Sequence, residues 1–248
     1  MTKVVLVTGA SRGIGRATAL LLAQQGYAVG VNYLRDSEAA EQVVAQIRQQ
    51  GGKAQALQAD IAEEAEVVAM FAELEATLGP IGALVNNAGI LFQQASIEQL
   101  TAERINKVLT TNVTGYFLCC REAVKRMALR HGGQGGAIVN VSSAASRLGA
   151  PWEYIDYAAS KGAVDTLTTG LALEVAAQGI RVNCVRPDCI YTEMHASGGE
   201  PGRVDRVKVA LPMQRGGQPE EVAQAVAWLL SDAASYVTGS FIEAAGGR

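Results

Sequence analysis

Val4-Val-Leu-Val-Thr8-Gly9-Ala-Ser11-Arg12-Gly13-Ile14-Gly15 is the stretch whose reading decides the fold. Val4 to Val7 is a continuous apolar run, the pattern of a strand buried on both faces. It passes directly into a glycine-rich segment, and Ala17 to Gln25 then reads as a helix. Strand, glycine loop and helix in that order form a phosphate site for a dinucleotide. Backbone N–H groups at the helix N-terminus point at the ligand, and the helix dipole favours its negative charge. Gly9 permits the tight turn, Gly13 lets the backbone approach a pyrophosphate, and Gly15 lets helix and strand pack closely. Ser11, Arg12 and Ile14 complete the candidate loop.

Outward from this unit, strands and helices alternate to the end of the chain. Tyr27 to Tyr33, Lys53 to Gln58, Ala83 to Val85, Ala137 to Val141, Ile180 to Val185 and Phe241 to Ala244 read as strands. Between them lie helices over Ser37 to Gln50 (with Ser37 as N-cap), Glu63 to Leu78, Thr101 through Asn112 to about Arg130, the Tyr157 segment to about Gln178, and Pro219 to Leu230. A looser segment rich in Gly and Pro covers about 188–217. The alternation predicts one α/β domain over 1–248: a Rossmann-type, doubly wound parallel sheet of about seven strands with helices on both faces. Ligands then bind beyond the carboxyl ends of the strands. Thr8–Gly15, Asn86–Gly89, Ser143 and Pro187 all follow strand ends, so they should line one crevice.

The end of the second strand bears on which dinucleotide fits. An acid there binds a ribose 2′-hydroxyl in NAD sites. This chain has Asn32 and Tyr33, with Arg35 soon after and Arg12 in the glycine loop. No carboxylate repels a 2′-phosphate and two guanidiniums are in reach of one, which favours NADPH/NADP. The plainer reading, that both arginines are solvated surface residues, stays open. Asp60 and Ile61, at the end of the third strand, are candidates for the adenine edge.

Composition removes other classes. Hydrophobic residues are 49% and charged residues 18%, which describes a folded soluble protein rather than a disordered one. The net charge is −3 with no Lys/Arg-rich run, so neither nucleic acid nor an anionic membrane is an expected partner. The apolar N-terminal run is too short for a signal peptide or a span, which points to the cytoplasm. Cys119, Cys120, Cys184 and Cys189 form no CxxC pair and read as core residues in a reducing compartment. His131 and His195 have no clustered ligands, so no metal site is expected.

Tyr157-Ala-Ala-Ser-Lys161 places a phenol and an ammonium four residues apart, on one face of a helix. A fixed ammonium favours the phenolate and lowers the phenol pKa, so the pair can exchange a proton with a carbonyl or alcohol oxygen near neutral pH. Tyr-x-x-x-Lys also arises by chance, and it gains meaning only beside the other motifs. Thr8-Gly9-x-x-x-Gly13-x-Gly15, Asn86-Asn87-Ala88-Gly89, Asn112, Ser143, Tyr157 and Lys161, in that order, resemble the short-chain dehydrogenase/reductase family over essentially the whole chain.

The resemblance implies Tyr157 as general acid/base, Ser143 as donor to the substrate oxygen, and Lys161 as modifier of the phenol and partner of the nicotinamide ribose. It implies Asn112 as holder of a water leading from Lys161 to solvent. Asn87, Ala88, Gly89, Pro187, Ile190 and Thr192 join the implied cofactor set. Ser142 is the competing serine. A homotetramer is also implied, and the apolar runs Leu167–Val175 and Val222–Leu230 fit interface burial as well as packing on the sheet. The chain departs from the family pattern twice. Pro187 is followed by Asp188 where Gly is usual, which suggests left-handed backbone or close approach to the nicotinamide. The Ser143–Tyr157 gap is one residue longer than is commonest, with Trp152 and Tyr154 inside it.

The activity expected is NADPH-dependent reduction of small ketones or aldehydes, reversible as an alcohol dehydrogenase. Leu91, Phe92, Ser143, Trp152 and Met194 are the expected substrate pocket, mostly apolar as suits an uncharged carbonyl compound. Rivals are a reductase of 3-oxoacyl groups on acyl carrier protein, a sugar 1-dehydrogenase, and a non-catalytic dinucleotide sensor, which has no need of the Ser143, Tyr157, Lys161 set.

Overall fold

The protein is described here by a computed structural model covering residues 3–248. Strands β1 (Val4–Val7), β2 (Ala28–Tyr33), β3 (Lys53–Gln58), β4 (Ile81–Asn86), β5 (Gly136–Val141), β6 (Ile180–Pro187) and β7 (Phe241–Ala244) form one sheet in the order β3-β2-β1-β4-β5-β6-β7. Every neighbouring pair is parallel. Helices α1 (Gly13–Gln24), α2 (Ser37–Gln49) and α10 (Pro219–Leu230) cover one face. Helices α3 (Glu64–Leu78), α5 (Gly115–Met127) and α7 (Ile155–Val175) cover the other.

The apolar run of β1 is continuous because its two sides enter different cores. Val4 and Leu6 pack with Phe71, Leu74 and Val124, whereas Val5 and Val7 pack with Leu22, Val44 and Val226. Burying side chains of this size stabilises the sheet by about 1.5–3 kcal/mol each. The chain builds β1 to β3 outward on one side, then returns to the other side of β1 with β4. The crevice beyond the carboxyl ends opens where that order reverses.

Most strand and helix ends lie within a few residues of the expected ones, and the differences that matter for the site are these. Asp36, not Ser37, caps α2: its Oδ1 accepts from Ala39 N at 3.0 Å, because Ser37 is already helical. The single helix expected from Thr101 is two, α4 (Ala102–Leu109) and α5, joined by a π-helical turn over Thr110–Thr114. The chain leaves α5 at Ala128, whose ψ of 135° is extended, so the helix stops short of Arg130. The segment 188–217 is partly helical, with α8 (Met194–Ser197) and α9 (Arg203–Val207), and α6 (Ala145–Leu148) fills part of the stretch before Tyr157.

Candidate active site

Helix α1 opens without a side-chain cap and with no acidic residue in its first turn. Its first N–H groups therefore keep their capacity for an anion. Gly9 has φ +62°, and a Cβ there would lie 2.9 Å from Ala88 Cα, so the loops after β1 and β4 touch through the missing side chain. Thr8 Oγ1 accepts from Asn87 N at 3.0 Å and from Ala88 N at 3.1 Å. Asn87 Nδ2 donates to the Thr8 and Gly9 carbonyls at 2.9 and 3.1 Å. Asn87, expected at the cofactor, thus uses its side chain to hold the cradle.

Asn32 needs a correction. Its side chain is buried, with Oδ1 accepting from Gly9 N at 3.1 Å and Nδ2 donating to the Leu57 and Ala59 carbonyls at 3.2 and 3.1 Å. It is a clamp on the glycine loop and does not face a ribose. The partly exposed residue at the end of β2 is Tyr33. Arg12 and Arg35 are exposed, and neither has an acidic partner among the described residues. The Ile61 side chain is likewise turned inward, under Gly115, and one Asp60 oxygen accepts from Ala62 N at 2.9 Å. Across the loop, Thr192 lies against the open side of Gly13, with its Cγ2 at 3.4 Å from where a Cβ would sit.

Beside this cradle lie the residues of the Tyr157 set. Lys161 Nζ is buried and donates to the Val141 carbonyl at 2.8 Å and to Tyr116 Oη at 3.3 Å. It sits 5.6 Å from the centroid of the Tyr157 ring. Asn112, set by the π-helical turn, accepts from Ile90 N at 2.8 Å and donates to Ile90 O at 2.9 Å and Ser160 Oγ at 3.1 Å. A Cβ on Gly89 would lie 3.5 Å from Asn112 Oδ1 and 3.7 Å from Lys161 Nζ, so both flank one spot at the end of β4. Ser142 Oγ donates to the Lys161 carbonyl at 3.1 Å and is turned into the fold. Ser143 Oγ accepts from Ala145 N at 3.1 Å, and its hydroxyl lies within reach of the Tyr157 phenol. Spacing alone does not single out Tyr116 or Ser160 as site residues. Tyr116 lies four residues after Asn112, a helical spacing that marks it in retrospect.

Burial, rather than the neighbouring ammonium, governs the proton affinities. It pushes the Tyr157 phenol up to about 12, against the Ser143 hydroxyl, which lowers it. It also pulls Lys161 down to about 8. The expectation of a phenol lowered by its lysine is not met: burial of the phenol dominates, and the groups that lower it are the Ser143 hydroxyl and the Arg203 charge. His195 is lowered by the same cause, and its Nε2 lies 2.8 Å from Ile190 O.

The segment after β6 closes over the loop after β4. Gly198 packs so tightly that a Cβ there would meet Tyr154 Oη at 2.5 Å and Leu91 Cδ1 at 3.0 Å. Leu91 and partly buried Met194 lie at this closure, with Tyr154 as an inner wall. Trp152 does not line it: the residue is 78% exposed. Ala150 (φ +44°) and Trp152 (φ +64°) are left-handed, and the longer segment swings the indole out. Phe92 is 38% exposed, at the rim beside Arg104. Asp188 is not left-handed either. Its carboxylate is 10% exposed and lies 3.5 Å from Arg248 Nη1, so it neither strains the turn nor faces solvent.

Among the described residues no cluster of His, Cys, Asp and Glu could hold a metal ion, and no helix is long and apolar enough to cross a membrane. The four cysteines are buried and unpaired.

The family model described as enoyl-(acyl carrier protein) reductase matches residues 9–248. An uncharacterized oxidoreductase of Escherichia coli (strain K12), YgfF, is 75% identical over 245 residues, covering 99% of each chain. The 3-oxoacyl-(acyl-carrier-protein) reductase FabG of Staphylococcus aureus (strain Mu50) is 40% identical and spans 100% of this chain and 98% of its own. Among solved structures, acetoin dehydrogenase YohF from Salmonella typhimurium superposes with a TM-score of 0.88 at 34% identity, over 100% of this chain and 97% of its own. A dehydrogenase/reductase from Sinorhizobium meliloti 1021 gives 0.92 at 33% identity, over 100% and 95%. With its seven-stranded parallel sheet and uncapped glycine loop, the chain belongs to the short-chain dehydrogenase/reductase family, an oxidoreductase class whose membership implies a nicotinamide dinucleotide cofactor.

Proposed function

We propose that the chain is an NADPH-dependent reductase of ketones and aldehydes, reversible as an alcohol dehydrogenase. The observation that carries this reading is the meeting of Ser143, Tyr157 and Lys161 beside a phosphate cradle, under a cover that includes Leu91 and Tyr154. The cofactor, when bound, supplies the hydride; the chain's residues orient the carbonyl and handle the proton. The Ser143 hydroxyl and the Tyr157 phenol are donors fixed before charge develops on the carbonyl oxygen. Tyr157 releases its proton to that oxygen, and the Lys161 ammonium offsets the charge left on the phenol. Asn112 braces the loop at Ile90 against Ser160 and so keeps Lys161 in register. NADPH oxidation by the purified protein, measured against ketones, aldehydes, 3-oxoacyl thioesters and sugars, tests the reading; no oxidation with any carbonyl compound overturns it.

NADP is favoured by Arg12 and Arg35 together with the lack of a carboxylate at Tyr33. NADPH should give the higher kcat/KM. Tyr33→Asp should move the preference toward NADH, because the new carboxylate repels a 2′-phosphate. Asn32 is unsuitable for this test, since changing it breaks the clamp on Gly9. A wild type that works better with NADH would refute the preference.

A second reading, reduction of 3-oxoacyl groups on acyl carrier protein, draws on the likeness to FabG. An acidic carrier needs basic residues near the cleft. By resemblance, Gln134 and Gln178 stand where docking arginines would, and Gln178 Oε1 is already engaged by Arg130 N at 3.0 Å. The small-carbonyl reading is therefore preferred. Four unpaired, buried cysteines fit a reducing compartment such as the cytoplasm.

Much of the run Val222–Leu230 is buried on the sheet, but Trp228 is 43% exposed, Phe117 51% and Leu173 81%. Apolar side chains exposed to this degree on outer helices fit a homotetramer. Light scattering should report four chains per particle, and a mass near one chain would exclude it.

A further inference from the structure

Arg203, the first residue of α9, is turned inward, with a side chain only 14% exposed. Nη2 donates to Glu153 Oε2 at 2.6 Å. Nη1 meets only Cys189 Sγ, at 4.0 Å, and Nε is buried without a hydrogen-bond partner. Native structures leave few buried donors unsatisfied, and each such group is costly. Arg206 behaves differently: it is 53% exposed and has both Nε and Nη2 on Glu200. The Arg203 guanidinium lies 5.8 Å from the centroid of the Tyr154 ring, and Tyr154 is the N-cap residue of the helix that carries Tyr157. Its charge reaches the Tyr157 phenol, which it acts to lower. A half-used cation therefore stands against Tyr154, an inner wall of the cleft at the start of the helix that carries the reacting group, on the same segment that covers Leu91.

We infer that Arg203 receives a carboxylate of the substrate, so that the carbonyl compound reduced here is an oxo acid. The inference rests on the carbonyl-reductase reading and names its substrate class. With the ketone oxygen at Ser143 and Tyr157, the acid group takes the open N–H donors of Arg203 in charge-assisted hydrogen bonds, about twice as strong as neutral ones. Glu153 does not cancel this charge alone, since it is shared with Arg206 Nη2 at 3.2 Å. Glu200 lies close, its carbonyl accepting from Arg203 N at 3.1 Å, and Asp188 directly precedes Cys189, so a single negative charge is accommodated better than a double one.

The rival account is that Arg203 only latches α9 to Glu153. Two variants separate the accounts, because a latch loses its function whichever partner is removed, whereas an anion site loses with one and gains with the other. The ratio of kcat/KM for a short oxo acid to that for the ketone of equal carbon count is measured with NADPH. R203M should lower this ratio by roughly tenfold to a hundredfold, chiefly through KM for the acid. E153Q frees the guanidinium and should raise the ratio. Both variants moving the two substrates together, or E153Q leaving the ratio at its wild-type value, overturns the assignment; E153Q decides the matter if R203M fails to fold. Calorimetric titration of a non-reducible carboxylic acid into the enzyme–NADP⁺ complex is independent of turnover. Binding that is lost in R203M, in a protein that reduces no carbonyl, keeps the anion site and removes the reductase. Reduction of ketones with no Arg203-dependent binding of the acid removes the anion site alone.

Discussion

Replacing Tyr157 with Phe is expected to cut turnover by roughly a hundredfold or more, the scale of losing a general acid, while folding and cofactor binding stay near normal. The ring keeps its packing in α7, and only the hydroxyl is lost. A phenol held up at about 12 is protonated throughout the neutral range, which is the state that carbonyl reduction consumes. Ser143 can still hydrogen-bond the substrate oxygen but has no ammonium poised to offset its loss of a proton. Lys161 has that relation to Tyr157, at 5.6 Å from its ring. Steady-state kinetics of the variant, with a cofactor titration alongside, checks this. A near-normal kcat would remove Tyr157 from the chemistry.

Gly15→Ala should be the most damaging single methyl group in the cradle. Its Cβ would lie 2.3 Å from the Gly9 carbonyl oxygen, 2.5 Å from Asn87 Nδ2 and 3.0 Å from Ala10 Cα. Two of these neighbours are backbone, and the third is held by its bonds to Thr8 and Gly9. None can rotate aside, so the loop must open. A destabilisation of about 3 kcal/mol, the upper end for overpacking, is expected together with loss of cofactor affinity. Gly162→Ala is the matched control. Nothing lies within 4 Å of the added Cβ, and the position is inside α7, so that variant should gain about 0.5–1 kcal/mol. Denaturant unfolding of both variants measures the difference, and equal stabilities would contradict the steric account.

Local rules explain what was legible in the sequence. The glycine loop, the alternation of strands and helices, and the pairing of Tyr157 with Lys161 depend on neighbours along the chain, so spacing reveals them. The direction of a side chain between elements does not. Asn32 lies in a strand buried on both faces, where no alternation of polar and apolar residues tells which way it points; only the loop folded over it makes it a clamp. Trp152 leaves the cleft through left-handed backbone at Ala150 and at Trp152 itself, a change in the direction of a turn that composition does not carry. The phenol of Tyr157 was expected to fall because a sequence gives charges but not depth, and depth decides here. Arg203 belongs to no motif. Its burial arises from the packing of α9 against Cys189 and Tyr154, and no pattern in 188–217 announces it.

The bonds from Asn32 to Gly9, from Thr8 to Asn87 and Ala88, and from Asn87 back to Thr8 and Gly9 tie three strand ends into one unit. Its shape is therefore set by protein–protein bonds before any phosphate arrives. Ordering a free loop on association would draw on the binding energy, and here that entropy loss is already met by folding. A dinucleotide bound there would meet a preformed socket at the amino end of α1, with the segment of α8 and α9 packed over the loop after β4. Affinity for the common part of a cofactor would then reside in the preformed half, and discrimination among substrates in the segment packed over it.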